Sequence, residues 1–371
     1  MAEPLKNVYN RKFLQSLGAK IRGAYPAFDT PGFIGRVMGR EWKNLALKAR
    51  MRRVTEALGA YLPASYEEAL QILLSIGEDC TGFPYLIFPD FTARFGLDKK
   101  HRKLSLQALE VFTRQSSAEF AVRPFIKLDP QGVMKQMLVW AKHKNEHVRR
   151  LSSEGCRPRL PWGEGLPMFK KDPAPVLAVL ELLKDDPSLY VRKSVANNLN
   201  DISKDNPAAV FAVAKRWQGF SPGTDWIIRR ACRTFIRRGD PETYALFGYE
   251  LLDGEEAGSP LIGAVEFSLY PRKLRIGERG EIRYAFTVRE GGPARLRVEY
   301  GIDFVRAGGR VSRKLFVLFD KTAEGGARVE GKRVHKWADL TTRRHYPGDH
   351  HIVLRVNGRE VAAEAVKLLP G

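Results

Sequence analysis

Three side chains with complementary chemistry lie close together in the segment LSSEGCRPRLPW, residues 151–162. Within nine positions this segment supplies the carboxylate of Glu154, the guanidinium of Arg157 and the indole of Trp162. A carboxylate attracts a positive charge, and an aromatic face stacks on a flat cationic ring. Together, the three groups are suited to one target, a cationic base in DNA.

Each of these residues also has a plainer structural interpretation. Glu154 follows Arg150 by four positions, which is the spacing of an ordinary ion pair on a helix surface. Trp162 follows Pro161 in a predicted loop, where an indole is as often a buried anchor as an exposed contact. Glu119 ends the sequence SSAE, the signature of a capping box at a helix start. Residue types alone leave these alternatives open.

Another acid, Asp201, belongs to a helix that is predicted to begin near residue 189. The apolar positions of this helix, at helical spacing, are Val191, Val195, Leu199 and Ile202. At 100° per residue, Asp201 lies roughly 115° from the centre of this stripe. We therefore expect Asp201 to lie off the apolar core, where it either carries chemistry or pairs with Lys193 or Lys204.

A pattern of an aliphatic residue followed by arginine recurs along the chain at helix starts. It occurs in FAVRP, EHVRR, LYVRK and WIIRR, whose first arginines, Arg123, Arg149, Arg192 and Arg229, are 26, 43 and 37 residues apart. Helix pairs with periods near 40 residues are typical of HEAT-like repeats, which stack into an α-solenoid. The arginines could bond carbonyls and acids between repeats, or they could clamp phosphates.

Five basic residues are predicted to contact DNA phosphates. Arg150, Lys193 and Arg230 are the second residues of the arginine pairs and lie farther from the apolar stripes. Arg157 and Arg159 precede Trp162 in the loop, and loop arginines beside an aromatic suit the backbone around a distorted base step.

After residue 252 the pattern changes from helical spacing to strict alternation. The residues Ile282, Tyr284, Phe286 and Val288 share one strand face, and Leu296, Val298 and Tyr300 share another. Asn357-Gly358 is a type I′ hairpin signal. About seven such strands predict an immunoglobulin-like β-sandwich. We therefore expect a multidomain chain: an all-α HEAT-like solenoid over residues 1–253, a linker over 254–262, and an all-β sandwich over 263–371.

Composition limits the partners of this chain. The net charge is +20, from 62 Lys and Arg against 42 Asp and Glu, and such an excess favours association with nucleic acid. No run of about 18 apolar residues is present, so we expect no membrane partner. Three cysteines without a C-x-x-C pair suggest neither a disulfide framework nor a zinc site. We expect no metal, no cofactor, a monomer and a cytoplasmic location with association to the nucleoid.

The segments at 151–162 and 194–207, LSSEGCRPRLPW and SVANNLNDISKDNP, closely resemble the AlkC branch of the HEAT-repeat DNA alkylation-repair glycosylases, and the likeness covers most of the chain. The resemblance implies that Glu119, Glu154 and Asp201, with Trp162, form the catalytic site. Asp201 and Glu154 would stabilise an oxocarbenium-like sugar and position water, Glu119 would support them, and Trp162 would stack on the lesion or deoxyribose. An appended immunoglobulin-like domain agrees with this branch.

From this resemblance we expect a monofunctional DNA glycosylase that excises cationic N-alkylated bases from double-stranded DNA. The expected substrates are 3-methyladenine and also 3-methylcytosine, and the family implies catalysis without base flipping. Two alternatives use the same surfaces. One is a non-catalytic HEAT-repeat module that binds nucleic acid, and the other is a protein-binding scaffold in which the arginines serve only repeat stacking.

Overall fold

The computed structural model describes residues 3–252, 260–341 and 343–371. The chain divides into two compact units, Met1–Ala231 and Cys232–Gly371. This division falls earlier than the boundary that we expected at residue 253. Most of the expected linker, 254–262, lies outside the described residues, and the first strand begins at its last position.

The described part of the first unit contains fourteen α-helices. They are α1 (Arg11–Ala24), α2 (Thr30–Val37), α3 (Leu47–Tyr61), α4 (Tyr66–Ser75), α5 (Ile87–Phe95), α6 (Arg102–Phe112), α7 (Val122–Leu128), α8 (Pro130–Trp140), α9 (Glu146–Gly155), α10 (Pro167–Lys171), α11 (Ala174–Leu182), α12 (Leu189–Ile202), α13 (Pro207–Trp217) and α14 (Pro222–Ala231). Among all described residues, no helix combines the length and apolar character that crossing a membrane requires.

The helices α1 to α6 enclose one hydrophobic core. The residues Leu14, Leu17 and Ile21 lie at helical spacing on α1 and are fully buried in it. Asn10 caps α1 by accepting a hydrogen bond from the backbone N–H of Phe13 at 2.9 Å. This helical region precedes the repeats along the chain.

The repeats follow as helix pairs in which the second helices, α9, α12 and α14, pack side by side. The apolar stripe of α12 that was predicted from spacing is fully buried, so this prediction is confirmed. Arg149 donates two hydrogen bonds to Asp186, at 2.6 and 3.1 Å, and Arg192 donates to the carbonyl of Asp186 at 2.7 Å. The interpretation as a contact between repeats is therefore confirmed for Arg149, whereas Arg192 bonds the loop of its own helix pair.

The described part of the second unit contains two α-helices, α15 (Arg233–Arg238) and α16 (Pro241–Leu246), followed by eight strands. They are β1 (Ile262–Tyr270), β2 (Lys273–Arg275), β3 (Arg279–Val288), β4 (Ala294–Val305), β5 (Val311–Ala323), β6 (Arg328–Lys336), β7 (Gly348–Val356) and β8 (Arg359–Leu369). One sheet has the order β1-β3-β6 and the other β2-β8-β7-β4-β5. The predicted fold class, a helical solenoid followed by a β-sandwich, is therefore confirmed.

The strand faces follow the predicted alternation. The inward residues of β3 and β4 are buried in the two sandwich cores, whereas Arg283 lies on the outer face. Asn357 and Gly358 connect β7 to β8 with φ angles of 43° and 83°, which is the left-handed conformation that a type I′ turn requires.

The segment from α15 to residue 250 joins the sandwich because its backbone carbonyls accept bonds from side chains of β7 and of the turn that follows it. Arg355 donates to the carbonyl of Arg237 at 3.1 Å, and Asn357 donates to that of Glu250 at 2.9 Å. The hydroxyl of Tyr249 donates to Asp320 at 2.6 Å. These bonds explain why the compact unit begins well before the first strand.

Three buried histidines in the second unit give its stability a pH dependence. Burial lowers the pKa of His335 from 6.5 to about 4, with a further contribution from Arg343, and burial also lowers the pKa of His345 and His350. As the pH falls, these histidines are therefore protonated in the unfolded chain before they are protonated in the folded one. Their contribution to the stability of the fold is fully present above the unfolded pKa of about 6.5, and it is lost as the pH falls towards 4.

We predict that acidification from pH 7.5 to pH 5 lowers the thermal stability of the second unit. At about 1.4 kcal/mol per unit of pKa, His335 alone contributes about 3 kcal/mol over its full titration. Thermal unfolding followed by near-UV circular dichroism checks this. His335→Gln should flatten the pH dependence and the exposed control His351→Gln should not; equal slopes in both variants would contradict the explanation.

Candidate active site

The loop that follows α9 carries three of the candidate residues, and a buried arginine from α7 fixes its path. Arg123 donates hydrogen bonds to the backbone carbonyls of Gly155 and Arg157, both at 2.9 Å, and to that of Glu164 at 2.7 Å. Burial of this guanidinium lowers its pKa to about 10, so it remains charged at neutral pH. A single side chain therefore anchors the loop at its beginning and near its end.

Arg157 bridges two of the predicted catalytic acids. Its Nη1 lies 2.7 Å from Oε1 of Glu154, while its Nε and Nη2 lie 2.8 and 2.7 Å from Oδ2 of Asp201. Arg157 is 7% exposed and Asp201 is 3% exposed. Burial lowers the pKa of Arg157, but the two carboxylates outweigh this effect and raise it above its usual value. The cluster is therefore a buried, charged triad.

A polar stripe on α12 faces α9 and completes this cluster. Ser194, Asn198 and Asp201 occupy positions i, i+4 and i+7. The hydroxyl of Ser194 donates to Oε2 of Glu154 at 2.7 Å, and Nδ2 of Asn198 donates to the carbonyl of Ser153 at 2.8 Å. The stripe explains why Asp201 lies off the apolar core, as predicted, and is nevertheless buried. Ser194 and Asn198 were not sequence candidates, although their helical spacing with Asp201 is a signal that could have indicated them.

Arg150 joins Glu119 to Glu154. Its Nη1 lies 3.3 Å from Oε2 of Glu119 and its Nη2 lies 3.6 Å from Oε1 of Glu154. Its guanidinium also stacks over the ring of Tyr190, at 4.7 Å from the ring centroid. Burial lowers the pKa of Arg150, but Glu119 and Glu154 outweigh it and raise the pKa overall. Arg150 therefore contacts acids, whereas we had expected it to face phosphate.

The capping-box interpretation of SSAE is wrong. The nearest helix, α7, begins at Val122, and its N-cap residue Ala121 has no side-chain cap. The Ser116 hydroxyl instead bonds back to the carbonyl of Phe112, at the end of α6. Glu119 lies in the connection between the two helices, so it has no capping role.

An open cleft of about 500 Å³ brings four of the candidates together. Its lining includes Glu119, Glu154, Arg157 and Trp162. The aromatic rings of Phe83 and Phe120 and the side chains of Leu160 and Pro161 form its apolar walls. Asp201 is not part of the lining, because it lies behind Arg157. The cleft thus combines aromatic surface with two carboxylates, an arrangement that suits a flat cation.

Comparison with known proteins agrees with this geometry. Residues 112–235 match the family described as "DNA alkylation repair enzyme", and residues 264–370 match the C-terminal Ig-like domain of "Uncharacterised protein YhaZ". The chain is 44% identical over 354 residues to "Uncharacterized protein YhaZ" of Bacillus subtilis (strain 168), across 95% of this chain and 96% of that protein.

A solved structure is similar over the full length of the chain. It is the Pseudomonas fluorescens alkylpurine DNA glycosylase AlkC bound to DNA containing an abasic site analog, at 36% identity and a TM-score of 0.91, covering 99% of this chain and 100% of that one. The chain belongs to the AlkC family of DNA alkylation-repair proteins. The family resemblance that the sequence indicated is therefore confirmed.

In this AlkC-family chain, the remaining basic candidates lie in different environments. Lys193 and Arg230 are exposed on α12 and α14, and Arg230 stacks over the ring of Trp226 at 5.4 Å. Arg159 is partly exposed and forms two bonds with Asp205, at 2.9 and 2.6 Å. Arg157, in contrast, is buried between carboxylates, so the geometry does not support a direct phosphate contact from it.

Charge in the AlkC-family cluster is balanced. Three carboxylates, from Glu119, Glu154 and Asp201, face the guanidinium groups of Arg150 and Arg157. The ammonium of Lys204, whose side chain is 42% exposed, lies 3.1 Å from Asp201 and supplies the third positive charge. Within the part of the chain that is described, no group of His, Cys, Asp and Glu side chains is arranged to hold a metal ion.

Trp162 is held at the edge of the cleft in an unusual backbone conformation. The residue is 65% exposed and has a φ of 62°, which for a residue with a Cβ costs roughly 1–2 kcal/mol. Its carbonyl accepts a hydrogen bond from Nζ of Lys48, which lies 4.5 Å above the ring of Phe120. Neither Lys48 nor Phe120 was a sequence candidate, because α3 and this loop are 114 positions apart.

We predict that Lys48→Met increases the mobility of the exposed indole of Trp162. Acrylamide quenching measures this, because the other tryptophans are buried or half-buried. The quenching constant of the exposed tryptophan fluorescence should rise by about 1.5-fold or more, because the carbonyl of Trp162 loses its charged hydrogen-bond donor. Lys12→Met, at an exposed lysine of α1, is the matched control. Identical quenching in both variants would show that Lys48 does not hold the loop.

Proposed function

We propose that the protein is a monofunctional DNA glycosylase that excises cationic N-alkylated bases, foremost 3-methyladenine and also 3-methylcytosine, from double-stranded DNA. The observation that carries this proposal is the cleft in which Glu119 and Glu154 meet Trp162, with Asp201 joined to Glu154 through Arg157. The name of the similar Pseudomonas protein, an alkylpurine DNA glycosylase, supports the same reaction class.

The substrate itself supplies the leaving group. An N3-alkylated adenine carries a positive charge, so the C1′–N9 bond breaks with both of its electrons moving to the base, which departs neutral. Little acid catalysis is needed, and positive charge develops on the sugar. The protein therefore has to stabilise an oxocarbenium-like sugar and deliver a water molecule to C1′.

The carboxylates of the cleft are suited to the first of these tasks. Glu154 is mostly buried, and the hydroxyl of Ser194 and the guanidinium of Arg157 fix its two oxygens. A carboxylate that is already oriented needs no reorganisation as charge develops at C1′. Asp201 holds Arg157 from behind and adds its own charge to the cluster, so we assign it to support of Glu154.

Glu119 is the carboxylate best placed to act on water. Among the described residues, its polar contact is with Arg150 at 3.3 Å, so its oxygens are less committed than those of Glu154. We propose that Glu119 orients the attacking water and accepts its proton while the oxygen joins C1′. No lysine lines the cleft in the described part of the chain, and Lys48 directs its Nζ to a carbonyl, which favours water as the nucleophile.

Recognition would follow from charge. The two carboxylates that line the cleft, Glu119 and Glu154, attract a cationic base, and the exposed indole of Trp162 stacks on the lesion or the deoxyribose. A neutral base is a poor leaving group, so the chemistry itself adds selectivity. We propose that Arg159, Lys193 and Arg230 bind backbone phosphates, and that a monomer reaches the sugar without flipping the base.

We predict that Glu154→Gln reduces single-turnover release of 3-methyladenine from methylated duplex DNA by on the order of 10²-fold or more, because the sugar loses an oriented charge. Mass spectrometry of the released bases measures this. Glu146→Gln, at an exposed acid of the same helix, should retain activity. Salt-dependent DNA binding without base release by the native chain would favour the non-catalytic module instead.

We predict that Asp201→Asn also slows release, by about 10-fold or more, because Arg157 loses a charged partner and no longer holds Glu154 in one orientation. Asp205→Asn is the matched control, since it breaks the Asp205 pair with Arg159 outside the cleft. This control should change DNA affinity more than the rate of the bound complex. Full activity of Asp201→Asn would remove Asp201 from the mechanism.

A further inference from the structure

Most of the strand arginines of the second unit pair with acids, as in Arg313 with Asp303 at 2.7 Å and Arg297 with Glu299 at 2.7 Å. Four arginines outside the strands, Arg306, Arg310, Arg343 and Arg344, have no carboxylate within 4.0 Å among the described residues. The same holds for three strand residues, Arg275, Arg279 and Arg333, but these do not line one pocket with the four. In a sandwich that contains many acids, a group of arginines without acidic partners is a feature that folding does not explain.

These four arginines lie around one pocket. The pocket has a volume of about 630 Å³, and all four arginines line it together with Ser312 and Tyr346. It lies between the turn that joins β4 to β5 and the segment that precedes β7. Positive charge from two segments of the chain therefore converges on a concave surface that also offers hydroxyl groups.

Arg343 is the most fixed of the four. It is 9% exposed, and its guanidinium stacks on two rings, at 4.5 Å from the centroid of Phe304 and 5.8 Å from that of Phe316. Arg306 also lies over Phe304, at 6.0 Å. A stacked guanidinium keeps its hydrogen-bond donors in a fixed plane, so little conformational freedom is lost when it binds a ligand.

The cations of this pocket repel one another. Burial and then the charge of Arg306 lower the pKa of Arg343. The neighbouring Lys314 shows the same effect, because burial and then Arg343 and Arg306 lower its pKa. Mutual repulsion of this kind is relieved by an anion that binds between the groups.

The turn that joins β4 to β5 is shaped so that two arginines flank the pocket. Its glycines, Gly308 and Gly309, have φ angles of 73° and 74°, and a Cβ at either position would meet no atom within 4 Å. The backbone N–H of Arg306 donates to the carbonyl of Arg310 at 2.7 Å, which closes the turn. The glycines are therefore required for the conformation of the backbone and not for close packing.

We propose that this pocket is a binding site for a phosphate group, held by the planar donors of its four arginines. Guanidinium groups bind phosphate oxygens in pairs. The charge of Arg344 acts on Asp339, but no described carboxylate lies within 4.0 Å of the four guanidinium groups, so no acid holds their donors. The phosphate can belong to a nucleic acid backbone or to a small phosphorylated molecule. The assignment does not depend on glycosylase activity, so it can fail or succeed separately from the proposed function.

The first experiment uses inorganic phosphate and the full chain. Isothermal titration calorimetry at low ionic strength and pH 8 should show saturable binding of phosphate by the native protein. Arg310→Gln combined with Arg344→Gln, at two exposed positions, should weaken it by about 10-fold, whereas Arg279→Gln, at an exposed arginine of β3, should not. Arg343→Lys retains the charge without the planar donors and should weaken binding about 5-fold. Thermal unfolding verifies that each variant is folded.

The second experiment identifies the source of the phosphate. The affinity for an undamaged DNA duplex is measured against salt concentration. If the DNA backbone is the ligand, the double variant should make the negative slope of log affinity against log salt less steep, by about 1 to 2. If phosphate binding falls in the variant while this slope does not change, the ligand is a small phosphorylated molecule. Equal phosphate binding by the native protein and the double variant, or none by either, would overturn the proposal.

Discussion

The site depends on one buried contact, the guanidinium of Arg157 between Glu154 and Asp201. A buried charge is tolerated only when it is paired and hydrogen-bonded, and removal of one partner leaves the other uncompensated. The triad therefore fixes the loop after α9 against α12, and it fixes the orientation of the carboxylate that lines the cleft. Because the contact joins residues 44 positions apart, it also joins two neighbouring repeats. The contact that joins the two repeats therefore also assembles the site.

Around this contact, cations hold the loop and leave its functional groups exposed. Arg123 bonds three carbonyls of the loop, and Lys48 bonds the carbonyl of Trp162. Since the backbone is held by side chains from other helices, the indole can remain at the edge of the cleft in a conformation that it would otherwise avoid. The loop backbone is thus held in place while the indole of Trp162 stays exposed.

The two units use their positive charge in different ways. In the first unit, Arg150, Arg157 and Lys204 pair with carboxylates, so the cluster is balanced although the whole protein carries +20. In the second unit, Arg306, Arg310, Arg343 and Arg344 have no carboxylate within 4.0 Å among the described residues. Positive charge is therefore paired at the first site and left without a close acidic partner at the second.

Local patterns were sufficient for much of this structure. The buried stripe of α12, the inward faces of β3 and β4 and the turn at Asn357-Gly358 could be read from spacing, because residues at helical or alternating positions share a face whatever their distant neighbours are. The candidate acids could also be named, with the help of the family resemblance. Spacing offered the pair of Arg150 with Glu154, but it could not show that Arg150 also contacts Glu119 or that Arg157 is buried between Glu154 and Asp201. Nor could it show that Glu119 has no capping role or that α15 and α16 pack with the sandwich. Each of these depends on a partner distant in the chain, and burial and pairing of a charge arise only when such partners meet.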